Sequence, residues 1–195
     1  QPFGTVLAAR TPVTHPAHGR FDFHVLADVI NAVQAQQDFG TVFLPEVGNS
    51  FFASFGLRPK ATESGINWLT NPWYAAMGTS LPYARVAATC VADRKLQDRV
   101  VVITGDGGFH FQLNELIHFQ KLSLPVTIVY MRNDVFHLGK SGNGPIYHCS
   151  TQDFDVLQLV RAYGGEGQRC TTVDEFQQYY QACLAANSSI RMIEV

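Results

Sequence analysis

Several things are scarce in this sequence of 195 residues, and each scarcity removes a class of function. Four cysteines, Cys90, Cys149, Cys170 and Cys183, are spaced neither as a zinc knuckle nor as a redox pair. Free thiols in a reducing cytoplasm are the expectation, and a cytoplasmic location with it. Lysine and arginine are scattered, the formal net charge is −2, and no basic cluster is interleaved with aromatics, which argues against a nucleic-acid partner. No apolar run reaches the length of a membrane span, so no membrane association is expected. The first twenty residues have no charged segment leading into an apolar one, so they do not read as a signal peptide, and they lack an initiator Met. Internal repeats and low-complexity tracts are absent too.

What remains is an ordinary globular balance, 46% hydrophobic and 15% charged. Residues 1–20, rich in Pro, Thr and His, read as an arm or linker, and 21–195 as one domain. Phe21 to Gln36 carries a helical apolar stripe, stopped by Gly40. Thr41 to Leu44 is a short buried strand ending at Pro45. A loop-rich stretch follows to Pro72, and Trp73 to Ala92 reads as a helix interrupted by Gly78 and Pro82. Val100 to Thr104 is a β-branched run of the kind buried on both faces. Phe109 to Leu122 reads as a helix, Pro125 to Met131 as a strand, and Arg132 to Tyr147 as a polar loop. Helices over Asp153–Tyr163 and Asp174–Ala186, the latter capped by Thr172 or Asp174, precede a last strand at Ile190–Val195. Strands alternating with helices predict a doubly wound, mainly parallel α/β sheet with helices on both faces.

Ligands of such sheets lie beyond the carboxyl ends of the strands. Two consecutive strands end in unusual loops here, one at Gly105-Asp106-Gly107-Gly108 and one at Asn133-Asp134. Right-handed β-α-β winding brings both ends to one edge, so the carboxylate of Asp106 and the amide oxygen of Asn133 can converge. Hard oxygens of that kind suit Mg²⁺ or Ca²⁺. Gly107 and Gly108 open a helix, lack side chains and offer backbone N–H groups to a phosphate. Together these features describe a metal-bridged diphosphate site. A dinucleotide fingerprint would need Gly where His110 stands. A P-loop around Gly139-Lys140-Ser141 would need Gly where Asp134 stands.

The segment GDGGFHFQLNELIHFQKLSLPVTIVYMRND (105–134) resembles the Gly-Asp-Gly…Asn motif of thiamine-diphosphate-dependent enzymes. PEVGNSFFAS (45–54) resembles that family's Asp-x-Gly strand end. AAMGTSLPYARVAA (75–88) is similar to the Met-Gly-x-x-Leu-Pro-x-Ala helix of its acetolactate synthase and benzoylformate decarboxylase branch. HPAHGRFDFHVLADVINAV (15–33) resembles the helix that opens the diphosphate-binding domain. The resemblance implies thiamine diphosphate and Mg²⁺ as cofactors. Asp106 and Asn133 would be metal ligands, joined by the backbone carbonyl of Val135. Gly105, Gly107 and Gly108 would line the diphosphate, Met77 would sit under the bent cofactor, and the Ala75 carbonyl would meet the aminopyrimidine. Asn49, with Ser50 and Phe52, follows a strand end and is a further candidate for lining the pocket.

The resemblance also implies a second, pyrimidine-binding domain carrying the Glu that activates the ring. No Glu of this chain matches that role. The chain is therefore expected to be a stand-alone diphosphate-binding subunit, working with a partner subunit in a hetero-oligomer, a dimer of heterodimers. The usual Asn-Asn pair is Arg132-Asn133 here, and Gly139 stands where pyruvate-decarboxylase-like members carry a Glu. His137 is the nearby candidate acid/base. The implied activity is decarboxylation of a small 2-oxo acid, with carboligation to a second carbonyl favoured. A decarboxylase of sulfopyruvate or phosphonopyruvate type is the enzyme alternative, and a non-catalytic cofactor-binding or regulatory subunit is the alternative of another class.

Overall fold

The computed structural model describes residues 23–132, 154–186 and 190–195. The arm at 1–20 and the loop positions Asn133, Val135, His137 and Gly139 lie outside the described residues. The elements run α1 (Phe23–Ala35), β1 (Thr41–Pro45), α2 (Asn49–Ser54), α3 (Ser80–Asp93), β2 (Arg99–Gly105), α4 (Asp106–Phe111), a 3₁₀ turn (Leu113–Glu115), α5 (Leu116–Lys121), β3 (Val126–Met131), α6 (Val156–Ala162), β4 (Glu166–Arg169), α7 (Val173–Ala185) and β5 (Ile190–Glu194). All five strands are parallel, in the order β1-β2-β3-β5-β4. This is the expected doubly wound α/β fold.

Alternation along the strands splits the core in two. Val42, Leu44, Val100, Val102, Val126, Ile128, Tyr130, Ile190 and Met192 pack in one layer with α3, α5 and α6. Phe43, Val101, Ile103, Val129 and Ile193 pack in the other with α1 and α7. Because both faces are covered, the inner strands must be apolar at every position, which is why Val100–Ile103 is an unbroken run. No helix among the described residues is long and apolar enough to cross a membrane.

The structure revises several sequence expectations. The helix expected from Trp73 begins only at Ser80. Ala75 (φ 47°) and Gly78 (φ 88°) are left-handed, a conformation that cannot continue a right-handed helix. Pro82 falls in the first turn of α3, where its missing N–H has no partner to lose. The expected helix 109–122 is three pieces, broken at Gln112 (φ −134°). The long stretch after β1 contains α2, and part of it covers the free edge of β1. Phe43 N donates to Asn67 O (2.9 Å) and Leu69 N to Phe43 O (3.0 Å). The buried carboxylate of Asp98 accepts Glu63 N and Ser64 N, each at 2.8 Å, and pins that stretch. Of the two candidate caps of α7, Thr172 is the one used, in a full capping box with Glu175.

Cys170 and Cys183 are buried free thiols between the sheet and α1/α7. Burial pushes the Cys170 thiol up to about 11, helped by Glu175, and the Cys183 thiol up to about 12, from 9.0. A raised folded value means that the native state holds these protons longer than the unfolded chain does. Their stabilising contribution is therefore complete below pH 9.0 and is lost as pH climbs through 9 toward the folded values. Both should resist a thiol reagent at pH 8 in native protein and react at once in urea, as peptide mapping of the labelled cysteines will read. Equal labelling with and without urea would contradict their burial.

Candidate functional site

The site is built at the carboxyl edge of the sheet, where β1, β2 and β3 end. Register pairs Pro45 with Ile103 and Gly105 with Met131, so the residues after these strands emerge side by side. Asp106 follows β2 directly as the first residue of α4, is only 4% exposed, and its Oδ1 accepts the N–H of Gly107 at 2.9 Å. A carboxylate is thus held at the edge, one residue beyond the level of Met131. A Cβ built on Gly105 would meet only ordinary contacts, 3.8 Å from Met131 O and from Ser50 Oγ. The start of α2 therefore approaches the end of β2 there, with Ser50 buried. Asn49 is exposed at the start of α2.

Arg132 follows β3. Its backbone N donates to Val195 O at 3.0 Å, and its guanidinium reaches Glu194 at 3.2 Å. Arg169 reaches the same Glu194 oxygen at 3.0 Å. The residue that replaces the first Asn of the pair is thus bound toward β5 and β4. It anchors the end of β3 immediately before Asn133.

The turn before α3 completes the edge. Ala75 N donates to Asn71 O (3.2 Å), and Thr79 Oγ1 to Ala76 O (3.3 Å). Met77 lies between the two left-handed residues, 37% exposed. A Cβ on Gly78 would lie 2.8 Å from both Phe111 Cβ and Gln112 Cγ, so this turn is packed closely on α4.

Sequence reasoning missed Glu46. It follows β1, is 1% exposed, and its side chain accepts four hydrogen bonds: Val47 N (3.0 Å) and Gly78 N (3.1 Å) on Oε1, Ser80 N (3.1 Å) and Ser80 Oγ (2.7 Å) on Oε2. The N-cap residue of α3, Thr79, makes no side-chain cap, so Glu46 supplies the acceptor from β1 and places negative charge at the helix start. Gly108 is packed on it. A Cβ there would lie 2.8 Å from Glu46 Cδ and 3.2 Å from Oε2. The absent side chain of Gly108 is thus demanded by Glu46, a reason its place in a glycine-rich loop does not reveal. The signal available in the sequence was an acid one residue beyond a buried strand.

His110 lies on α4 against Tyr130, Phe109 and Phe154, its Nε2 3.4 Å from Tyr130 Oη. Burial lowers its pKa below the ordinary imidazole value, Asp106 works against that, and Arg132 adds to it. A neutral ring is thereby favoured beside Asp106. Glu115 pairs with Arg85 of α3 at 3.3 Å.

The donor set fits the expected cofactor as far as it is described: one buried carboxylate at a strand end, the N–H groups of a glycine-rich helical turn, and a tight turn beside them. No group of three or more His, Cys, Asp or Glu able to hold a metal occurs among the described residues.

Comparison with known proteins agrees with this geometry. An α-keto-acid decarboxylase of Mycobacterium tuberculosis is 30% identical over 105 residues, covering 54% of this chain and 18% of the relative. The chain spans about a fifth of the length of the curated relatives it matches. Among solved structures, the thiamine diphosphate-dependent 4-hydroxybenzoylformate decarboxylase of Rhodococcus jostii RHA1 superposes with a TM-score of 0.73 at 19% identity, covering 96% of this chain and 36% of that one. Benzoylformate decarboxylase from Polynucleobacter necessarius gives the same TM-score and identity, covering 95% and 35%. These structures establish the fold alone. Residues 47–195 match the thiamine pyrophosphate enzyme C-terminal TPP binding domain, and the chain belongs to that family.

Proposed function

We propose that this chain is the diphosphate-binding half of a cytoplasmic enzyme that decarboxylates a 2-oxo acid with thiamine diphosphate and Mg²⁺. The observation that carries the reading is Asp106, a buried carboxylate on the first helical residue after β2, in a chain of this family. A buried charge is costly, and a bound metal would offset that cost, which supports a module that keeps its cofactor. Asp106, Asn133 and the Val135 carbonyl would hold the metal. Gly105, Gly107 and Gly108 would line the diphosphate. Met77 and the Ala75 carbonyl would orient the rings, with Asn49 and Ser50 at the pocket wall. When bound, the cofactor supplies the nucleophilic carbon and the electron sink that the reaction needs, while the protein binds, orients and desolvates. His137 is the proposed proton carrier.

The activating Glu would come from a pyrimidine-binding domain outside these residues, on a partner subunit in a hetero-oligomer. Trp73 and Tyr74 are 93% and 88% exposed on the turn leading to Met77, and Phe52, Phe55 and Phe111 stand more than half exposed on α2 and α4. Aromatic surface of that extent at a site edge supports coverage by another protein surface. Transfer of the decarboxylated unit to a second carbonyl, as in acetolactate synthase, is the second reading, favoured by Gly139 in place of a Glu.

The test is CO₂ release from benzoylformate and from aliphatic 2-oxo acids by the full protein, with and without co-purified partners. Release that stops on chelation and returns with Mg²⁺ is expected. A ligated product when a second aldehyde is added would select the carboligase. No release from any 2-oxo acid would overturn the assignment.

A further inference from the structure

One residue, Glu46, contacts β2, the turn before α3 and Gly108. The Glu46 backbone N–H donates to Ile103 O of β2 at 2.8 Å. Its carboxylate holds Gly78 and Ser80, and its methylenes lie against Gly108. We propose that Glu46 is a positioning residue for the cofactor, setting the spacing between the Asp106–Gly108 loop and the Ala75–Met77 turn. The proposal rests on the thiamine diphosphate reading of the site, because those two segments would then grip opposite ends of one ligand.

The fit is one of length. The end of a glutamate usually yields to a new neighbour by rotating. Here rotation would break four hydrogen bonds in a buried place, so the side chain cannot yield cheaply. Space for its Cγ and carboxyl carbon exists only because residue 108 has no Cβ. Glu46 and Gly108 are thus a matched pair, a long acid against a missing side chain. The nearest neighbour of a Cβ at 108 would be Glu46 Cγ, a position that aspartate still fills and that only truncation to alanine clears. The downstream end of the turn is fixed as firmly, because Gly78 (φ 88°) takes a conformation that few other residues adopt and donates directly to Oε1. A side chain that only capped α3 would affect folding and leave affinity for the ligand alone.

The experiment uses the full protein as wild type, Gly108→Ala, Glu46→Gln, Glu46→Ala and the double variant Glu46→Ala/Gly108→Ala. Melting temperature is read without cofactor, and thiamine diphosphate affinity is read with Mg²⁺ by quenching of tryptophan fluorescence. Gly108→Ala should lower the melting temperature by roughly 5 °C through overpacking. It should weaken binding about tenfold, the scale of a lost supporting contact. In the double variant Gly108→Ala should add no further loss to that of Glu46→Ala, because the atom it would meet is gone. Glu46→Gln, which keeps the volume and removes acceptor capacity, should also bind about tenfold more weakly, and it carries the test if Gly108→Ala does not fold. Wild-type affinity in Gly108→Ala or Glu46→Gln, or additive losses in the double variant, overturns the proposal alone. A wild type that binds no thiamine diphosphate overturns the functional reading instead, and the proposal with it.

Discussion

Asp106→Ala should weaken thiamine diphosphate binding in the presence of Mg²⁺ by at least about 100-fold, beyond the loss typical of a residue that merely supports a metal ligand. The reasoning separates two tasks of one carboxylate. Its structural task is to accept the Gly107 N–H at 2.9 Å, a first-turn hydrogen bond worth about 1 kcal/mol. Its proposed task is to carry charge to a metal that bridges to the diphosphate. If only the first existed, the variant would melt slightly earlier and bind normally. Asp106→Asn discriminates further, since its amide oxygen can keep the Gly107 hydrogen bond while the charge is lost. Titration calorimetry on wild type and both variants, with Mg²⁺ and then with chelator, measures each task. Wild-type affinity in Asp106→Ala would sink the site assignment. A metal-independent loss would leave Asp106 as a structural residue only.

Much of the fold was legible because parallel strands covered on both faces need apolar residues at every position. Val100–Ile103 and Ile128–Tyr130 announce themselves in that way. The cap of α7 was legible because Thr172 and Glu175 are three residues apart and satisfy each other locally. The edge strand β4, Glu-Gly-Gln-Arg, has no such signature. It owes its conformation to pairing with β5, a partner far along the chain. The break at Gln112 was invisible for another reason. Phe109, Leu116 and Phe119 stay buried in one layer across it, so the apolar spacing reads as a continuous helix.

The site divides along the same line. Asp106, Gly107 and Gly108 form a local motif, and the positions of strand ends follow from topology. Glu46 was not legible because its partners are Gly78, Ser80 and Gly108, between 32 and 62 residues away. Nothing in the neighbourhood of an acid reports such distant contacts. The same holds for Arg132, whose attachment to Glu194 appears only when β5 is laid beside β3.

Phe109→Ala should cost about 3–5 kcal/mol of stability, the range for emptying a buried aromatic site. Phe109 follows Gly108 directly, is fully buried, and meets Tyr130 edge-to-face at 5.3 Å. It is the side chain by which the short helix α4 is seated on the sheet, so its removal should loosen the loop that carries Asp106. Urea denaturation measures the first effect, and a loss below about 1 kcal/mol would contradict the packing. Ligand linkage measures the second. A cofactor stabilises the native state by an amount set by its concentration relative to Kd. Global destabilisation alone would leave that increment as large in Phe109→Ala as in wild type. A loosened Asp106 loop shrinks it, because binding must first reorder the loop. The increment in Phe109→Leu, which refills most of the volume, should fall between the two, since α4 is seated again while the edge-to-face contact with Tyr130 is lost.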